Sequence, residues 1–176
     1  MLVLVEGRPA VGKTTVVRRL AALLREAGVP LAGLVTEELR ERGRRVGFAI
    51  ETLEGAHAVL AHVGLPGPPR VGRYGVDLPA FERLALPALA SAPDAGVVLI
   101  DELGKMELAS EAFRTAVSQL LEQPVALVAT VHLARHPFTD ALKSRPAVEL
   151  VRVTARNRDS LPARLAARLG VDTVGT

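Results

Sequence analysis

Eight residues near the amino terminus, Gly7-Arg8-Pro9-Ala10-Val11-Gly12-Lys13-Thr14, carry the spacing G-x-x-x-x-G-K-[ST]. The chemistry this pattern implies is phosphate binding. Gly7 and Gly12 permit backbone conformations that a side chain would block. The loop can then aim a row of N–H groups at phosphate oxygens, at the positive end of a following helix. Lys13 would reach the β- and γ-phosphates, and the hydroxyl of Thr14 would ligate Mg²⁺. A second group of polar residues lies far along the chain. Val97-Val98-Leu99-Ile100 is a continuous apolar run that ends in Asp101-Glu102, followed by Leu103-Gly104-Lys105-Met106-Glu107. An acid at the end of such a strand suits the shell of Mg²⁺. The next acid is placed to orient or deprotonate a water in line with the γ-phosphate. Glu102 is the first choice for that base and Glu107 the rival.

These groups need elements to hold them. Leu2 to Glu6 reads as a short buried strand, and the apolar spacing after Thr15 is helical. The helix stops near Gly28 with Pro30 beyond it. Leu31 to Glu38 and Val46 to Leu53 read as two strands of a β-hairpin around the polar turn Arg40–Arg45. Residues 54–79 are rich in Gly and Pro and read as irregular, with Arg73 and Tyr74 as candidates for contacts near a substrate. Further helices are expected over 78–92, 110–122, a short piece within 133–143, and 161–169, with Pro93-Asp94-Ala95-Gly96 as a turn. Further strands are expected over 97–100, 124–131 and 147–153. Strands alternating with helices argue for a parallel sheet covered on both faces.

Thr130 and His132 fall at the end of a strand expected beside the loop strand, where a polar residue can sense the γ-phosphate. His57, His62 and His136 show no ligand-like spacing. Asn157-Arg158 lies between the last strand and last helix, where either residue could meet the base. Asp159 or Ser160 is expected to cap the helix begun by Pro162. Arg73 or Arg135 is a candidate source of transition-state charge.

Composition sets bounds. The 176 residues suit a single domain, 1–176, and an apolar content of 49% excludes a disordered chain. The net charge is +3, with 19 Arg against 3 Lys. That balance permits a nucleic-acid partner, through the arginines at 40–45 and 70–73, without requiring one. Without Cys there is no disulfide framework and no thiolate metal site. No stretch reaches the roughly 20 apolar residues of a membrane span. A cytoplasmic monomer is expected.

Together the motifs resemble the thermostable nucleoside-triphosphatase family, whose vertebrate members are called cancer-related nucleoside-triphosphatases. The resemblance rests on Gly7–Thr15, Val71–Asp77, Ile100-Asp-Glu-Leu-Gly-Lys-Met-Glu-Leu108, Ala129–His132 and Asn157–Asp159. It runs across nearly the whole chain. It implies a RecA-like P-loop NTPase three-layer α/β sandwich, with a central, mostly parallel sheet and an added β-hairpin. It also implies Mg²⁺-dependent hydrolysis of ATP, GTP and other nucleoside triphosphates with little base preference. The implied nucleotide site is residues 7–14 and 97–104; Thr15, Asn157 and Arg158 join it from the motif reading. Arg8-Pro9 departs from the family pattern, in which a small or polar residue more often precedes the proline. Two rival functions stay open: a nucleoside or small-molecule kinase, and a nucleic-acid-linked ATPase switch.

Overall fold

Strand β1 (Leu2–Gly7) lies between two strands from the far end of the sequence, β8 (Ala126–His132) and β9 (Val148–Arg152), and is parallel to both. The structure is a computed structural model that describes residues 1–92 and 96–171. The expected turn over 93–96 therefore lies largely outside the described residues. One nine-stranded sheet has the order β5-β6-β4-β3-β2-β7-β8-β1-β9. Here β2 is Leu31–Glu41, β3 Arg44–Thr52, β4 His57–His62, β5 Arg70–Val71, β6 Tyr74–Val76 and β7 Val97–Leu103. The run from β2 through β7, β8 and β1 to β9 is parallel, and the other side of β2 is antiparallel.

Helices cover both faces, as a parallel sheet requires. On one face α1 (Lys13–Glu26) and α5 (Leu161–Arg168) bury Val16, Leu20, Leu24 and Leu165 against Val3, Val5 and Leu99. On the other, α2 (Leu78–Ala90) and α3 (Glu111–Leu120) bury Phe81 and Phe113 against Leu4, Leu34, Ile50 and Ile100. The two phenyl rings meet edge to face at 4.9 Å. A short helix, α4 (Pro137–Lys143), adds Leu142 to that core. The alternation along β1 and β7 between the two cores explains why both segments read as unbroken apolar runs. Among the described residues, no helix is long and apolar enough to cross a membrane.

The antiparallel part is larger than a hairpin. The β2–β3 turn forms at Arg42-Gly43, both with positive φ (47° and 77°), the backbone of a two-residue primed turn. The chain then returns as β4, which the Gly- and Pro-rich composition of 54–79 hides, and ends in the small β5–β6 hairpin.

Gly33 in β2 is locked against β7. Its φ is +116°, and a Cβ there would sit 2.0 Å from the Leu99 carbonyl oxygen, a backbone atom. Gly33→Ala is expected to cost on the order of 3 kcal/mol through strain and overpacking. A urea unfolding curve checks it; an unchanged midpoint would show that β2 can shift away from β7.

Candidate functional site

The turn from β1 into α1 is built for an anion. Gly12 stands before the helix with φ +108°, and no side chain caps the first turn. The leading N–H groups of α1 therefore have no side-chain acceptor and face the cleft. Gly7 is held close: a Cβ on it would meet Val11 Cγ1 at 2.7 Å. Val11 packs into the core below, while Pro9, Ala10, Lys13 and Thr14 line a cleft of about 460 Å³. Gly12, Thr15 and Arg18 line an adjoining groove along the helix start. Arg8 is exposed, and its carbonyl accepts the Val11 N–H at 3.3 Å to close the loop.

The end of β7 delivers the acids. Asp101 is 1% exposed, and its Oδ1 accepts the Thr130 hydroxyl at 2.5 Å. The hydroxyl of Thr14 also helps to hold its pKa down. Burial raises the Asp101 acid above its usual range, and these hydroxyls and Lys13 offset only part of that. Glu102 turns toward the cleft. Its Oε1 lies 2.5 Å from His132 Nε2 and its Oε2 lies 3.4 Å from Lys13 Nζ. Burial would raise its pKa, but His132 and Lys13 outweigh that and hold Glu102 below the ordinary range. Lys13 also donates to the Gly7 carbonyl at 3.3 Å, so it ties the loop to the acid.

Glu107 is enclosed. Its side chain is 4% exposed and its Oε1 lies 3.4 Å from the Thr36 hydroxyl. Burial, reinforced by the carboxylates of Glu102 and Asp101, pushes its pKa up to about 8 despite backbone hydrogen bonds. Gly104 separates the two glutamates. A Cβ there would lie 2.8 Å from Glu107 Oε2 and 3.1 Å from Glu102 Oε1.

Several expectations need correction. Val97, Val98, Leu99 and Ile100 are 0–2% exposed and belong to the cores, where they position Asp101. Leu103 is also buried and closes the cleft floor. The amide of Asn157 is anchored to its own loop: it accepts from the Thr154 N–H at 2.8 Å and donates to the Arg152 carbonyl at 2.9 Å. Arg158 does reach the loop, with its Cδ 3.4 Å from where a Gly12 Cβ would stand. Neither Asp159 nor Ser160 caps α5. Asp159 pairs with Arg19 at 3.0 Å, and the Ser160 hydroxyl donates to the Asn157 carbonyl. Arg73 lies outside the cleft, its guanidinium bonded to the Arg45 carbonyl and the Tyr74 hydroxyl. Arg135 lines the cleft and pairs with Asp140 at 3.6 Å. His136 caps α4, accepting the Phe138 N–H at 3.2 Å.

Two contributions escape the sequence pattern. The Thr36 hydroxyl donates to the Asp101 carbonyl at 2.6 Å and so joins β2 to the acidic turn. Glu6, 7% exposed, pairs with Lys143 at 3.3 Å and Arg152 at 3.0 Å, while Lys143 also donates to the His132 carbonyl. A polar residue inside an apolar strand, as in Leu34-Val35-Thr36 and Leu4-Val5-Glu6, was the available signal.

A family model described as NTPase matches residues 2–166. The chain belongs to the NTPase family. Within it, the chain is 41% identical over 162 residues to the nucleoside-triphosphatase THEP1 of Thermotoga petrophila, covering 92% of this chain and 88% of that relative. It is 41% identical over 173 residues to the human cancer-related nucleoside-triphosphatase, covering 90% and 91%. The crystal structure of THEP1 from Aquifex aeolicus superposes with a TM-score of 0.86 at 35% identity, covering 96% of this chain and 99% of that one. The solution structure of the human NTPase gives 0.82 at 38%, covering 99% of each.

Proposed function

We propose that this chain hydrolyses nucleoside triphosphates to diphosphate and phosphate, with Mg²⁺ and with little preference for the base. The observation that carries the reading is Glu102, a cleft-facing carboxylate held between Lys13 and His132 at the γ end of an uncapped phosphate loop. The names of the relatives support the same activity.

The amides of residues 7–14 and the ammonium of Lys13 hold the phosphate chain. Glu102 takes a proton from the attacking water, whose oxygen bonds to Pγ as the bond from Pγ to the bridging oxygen breaks. His132 fixes the orientation of Glu102. Glu107 is enclosed and protonated at neutral pH, which suits a hydrogen-bond donor better than a base. Thr14 and Asp101 fit Mg²⁺: they offer hard oxygen donors side by side, and Asp101 is a buried carboxylate that a cation would neutralise. Bound there, Mg²⁺ would neutralise charge on the β- and γ-oxygens. Arg158, beside Gly12, is placed for the nucleoside end.

Phosphate release from ATP, GTP, CTP and UTP tests the reading. Release from all four, stopped by EDTA and restored by Mg²⁺, is expected. Release from one nucleotide alone would overturn broad specificity, and undiminished release in EDTA would overturn the metal.

Gly104→Ala is a sharper probe of geometry. The added methyl meets the ends of two side chains, so the fold gives way locally while Glu102 is pushed off line. A fall in kcat of roughly 100-fold is expected from an ångström-scale displacement, with a melting temperature near the parent's. Parental kcat would show that Glu102 tolerates displacement.

A further inference from the structure

The strand order gives the bound nucleotide a direction. Arg158 stands on the β9 side of the phosphate loop, whereas Glu102 and His132 stand at the ends of β7 and β8 on its other side. The cleft of about 460 Å³ continues past Glu102, away from Arg158, to the antiparallel half of the sheet. That volume spans both the phosphate-loop residues Lys13 and Thr14 and the wall beyond Glu102, whereas hydrolysis needs room beyond Glu102 for one water only.

Its far wall is preorganised. Phe48 and Val71 line the cleft from β3 and β5, and Met106 lines it as well. Phe48 is fixed by Tyr74, edge to face at 5.3 Å, and by the guanidinium of Arg45, 5.4 Å from the ring centre. Beside it Glu38 accepts from Arg40 Nε and Nη2 at 3.0 and 2.6 Å and also bonds Arg45. The cleft therefore presents an aromatic and aliphatic wall with a fixed carboxylate and guanidinium at its edge. That pattern suits a flat polar ring.

Resting on the hydrolytic reading above, we propose that the end of this cleft beyond Glu102, at Phe48 and Val71, is a second-substrate subsite, which accepts a heteroaromatic alcohol of nucleoside size and presents its hydroxyl to the γ-phosphate. The hydroxyl oxygen bonds to Pγ, the bond from Pγ to the bridging oxygen breaks with its electron pair passing to the nucleoside diphosphate, and Glu102 takes the hydroxyl proton. Water hydrolysis is then the reaction of the same site when the alcohol is missing.

The test mixes the protein with Mg²⁺ and ATP labelled on the γ-phosphate. The four ribonucleosides, pyridoxine and thiamine are each added at about 1 mM, the upper end of ordinary KM values. Chromatography reads inorganic phosphate and phosphate ester from the same reaction. The expected result is a labelled ester from at least one alcohol, with phosphate release reduced as ester forms. Phe48→Ala should lower the ester-to-phosphate ratio about tenfold, the effect of losing one aromatic stacking partner. Calorimetric titration of the same alcohols into the parent protein holding ADP reads the subsite independently of whether Phe48→Ala folds. Phosphate release without ester, with or without binding of an alcohol, overturns the transfer proposal and leaves hydrolysis standing. Ester without phosphate release upholds the subsite and overturns hydrolysis. Neither product overturns both.

Discussion

Lys13→Ala is expected to lower kcat for nucleotide hydrolysis by about 10²–10³-fold, the effect of removing one preorganised donor from a developing anion. Nucleotide binding should weaken as well, since a charge-assisted hydrogen bond is worth about 1.5–3 kcal/mol. The size of the effect follows from what Lys13 touches. Its side chain is 7% exposed, and the ammonium stands between the Gly7 carbonyl and Glu102. Its loss removes the cation from the phosphates and one of the two groups that aim the base. The fold should survive, because Glu102 keeps His132 and reaches the cleft. Phosphate release and nucleotide titration on the same preparation check both effects. Turnover within a few-fold of the parent would remove Lys13 from the mechanism and undermine the assignment of the loop.

Glu102→Gln is expected to lower kcat by about 10²–10⁴-fold, the usual share of a general base. The amide keeps the shape of the side chain and still offers an oxygen to Lys13 or His132, but it accepts no proton from water. Nucleotide affinity should stay at or above the parent's, since a negative charge has left the γ end of the site. Glu107→Gln is the control. A carboxyl that is already neutral loses little when it becomes an amide, so kcat should stay within about tenfold of the parent. If the two variants exchanged behaviour, Glu107 would be the base and the burial argument against it would be wrong.

The strand, turn and helix around Gly7, Gly12, Lys13 and Thr14 were legible because the pattern is local, set by the backbone of one loop and one helix start. Asp101 was legible for a related reason, since an apolar run ending in an acid identifies a buried strand and its end together. Val97–Ile100, assigned to nucleotide contact, lie in the two cores, because a run that announces a strand also announces burial on both faces. The strand β4 was hidden by its neighbours. Gly55, Gly67 and Gly72 all have positive φ and punctuate the turns around the short strands, so composition over the whole stretch looked irregular while His57–His62 was ordinary strand. The cap expected of Asp159 failed because Arg19, on a helix far away in sequence, competes for it. Pairings of that kind have no local pattern. His132 could be placed at a strand end, but its bond to Glu102 depends on how β7 and β8 register.

The position of β1 also governs when the molecule can exist. Leu2 is made long before its partners, Leu127 and Val148. Until the chain has been made through β9, the strand that carries the phosphate loop lacks one of its neighbours, and its apolar faces lack part of their cover. Contacts so distant in sequence are slow to close, and an apolar strand waiting for them is prone to association with other chains. A nucleotide that binds only the finished site would favour the completed fold by mass action. The triphosphate would then act on the newborn protein as a folding ligand before it is ever a substrate.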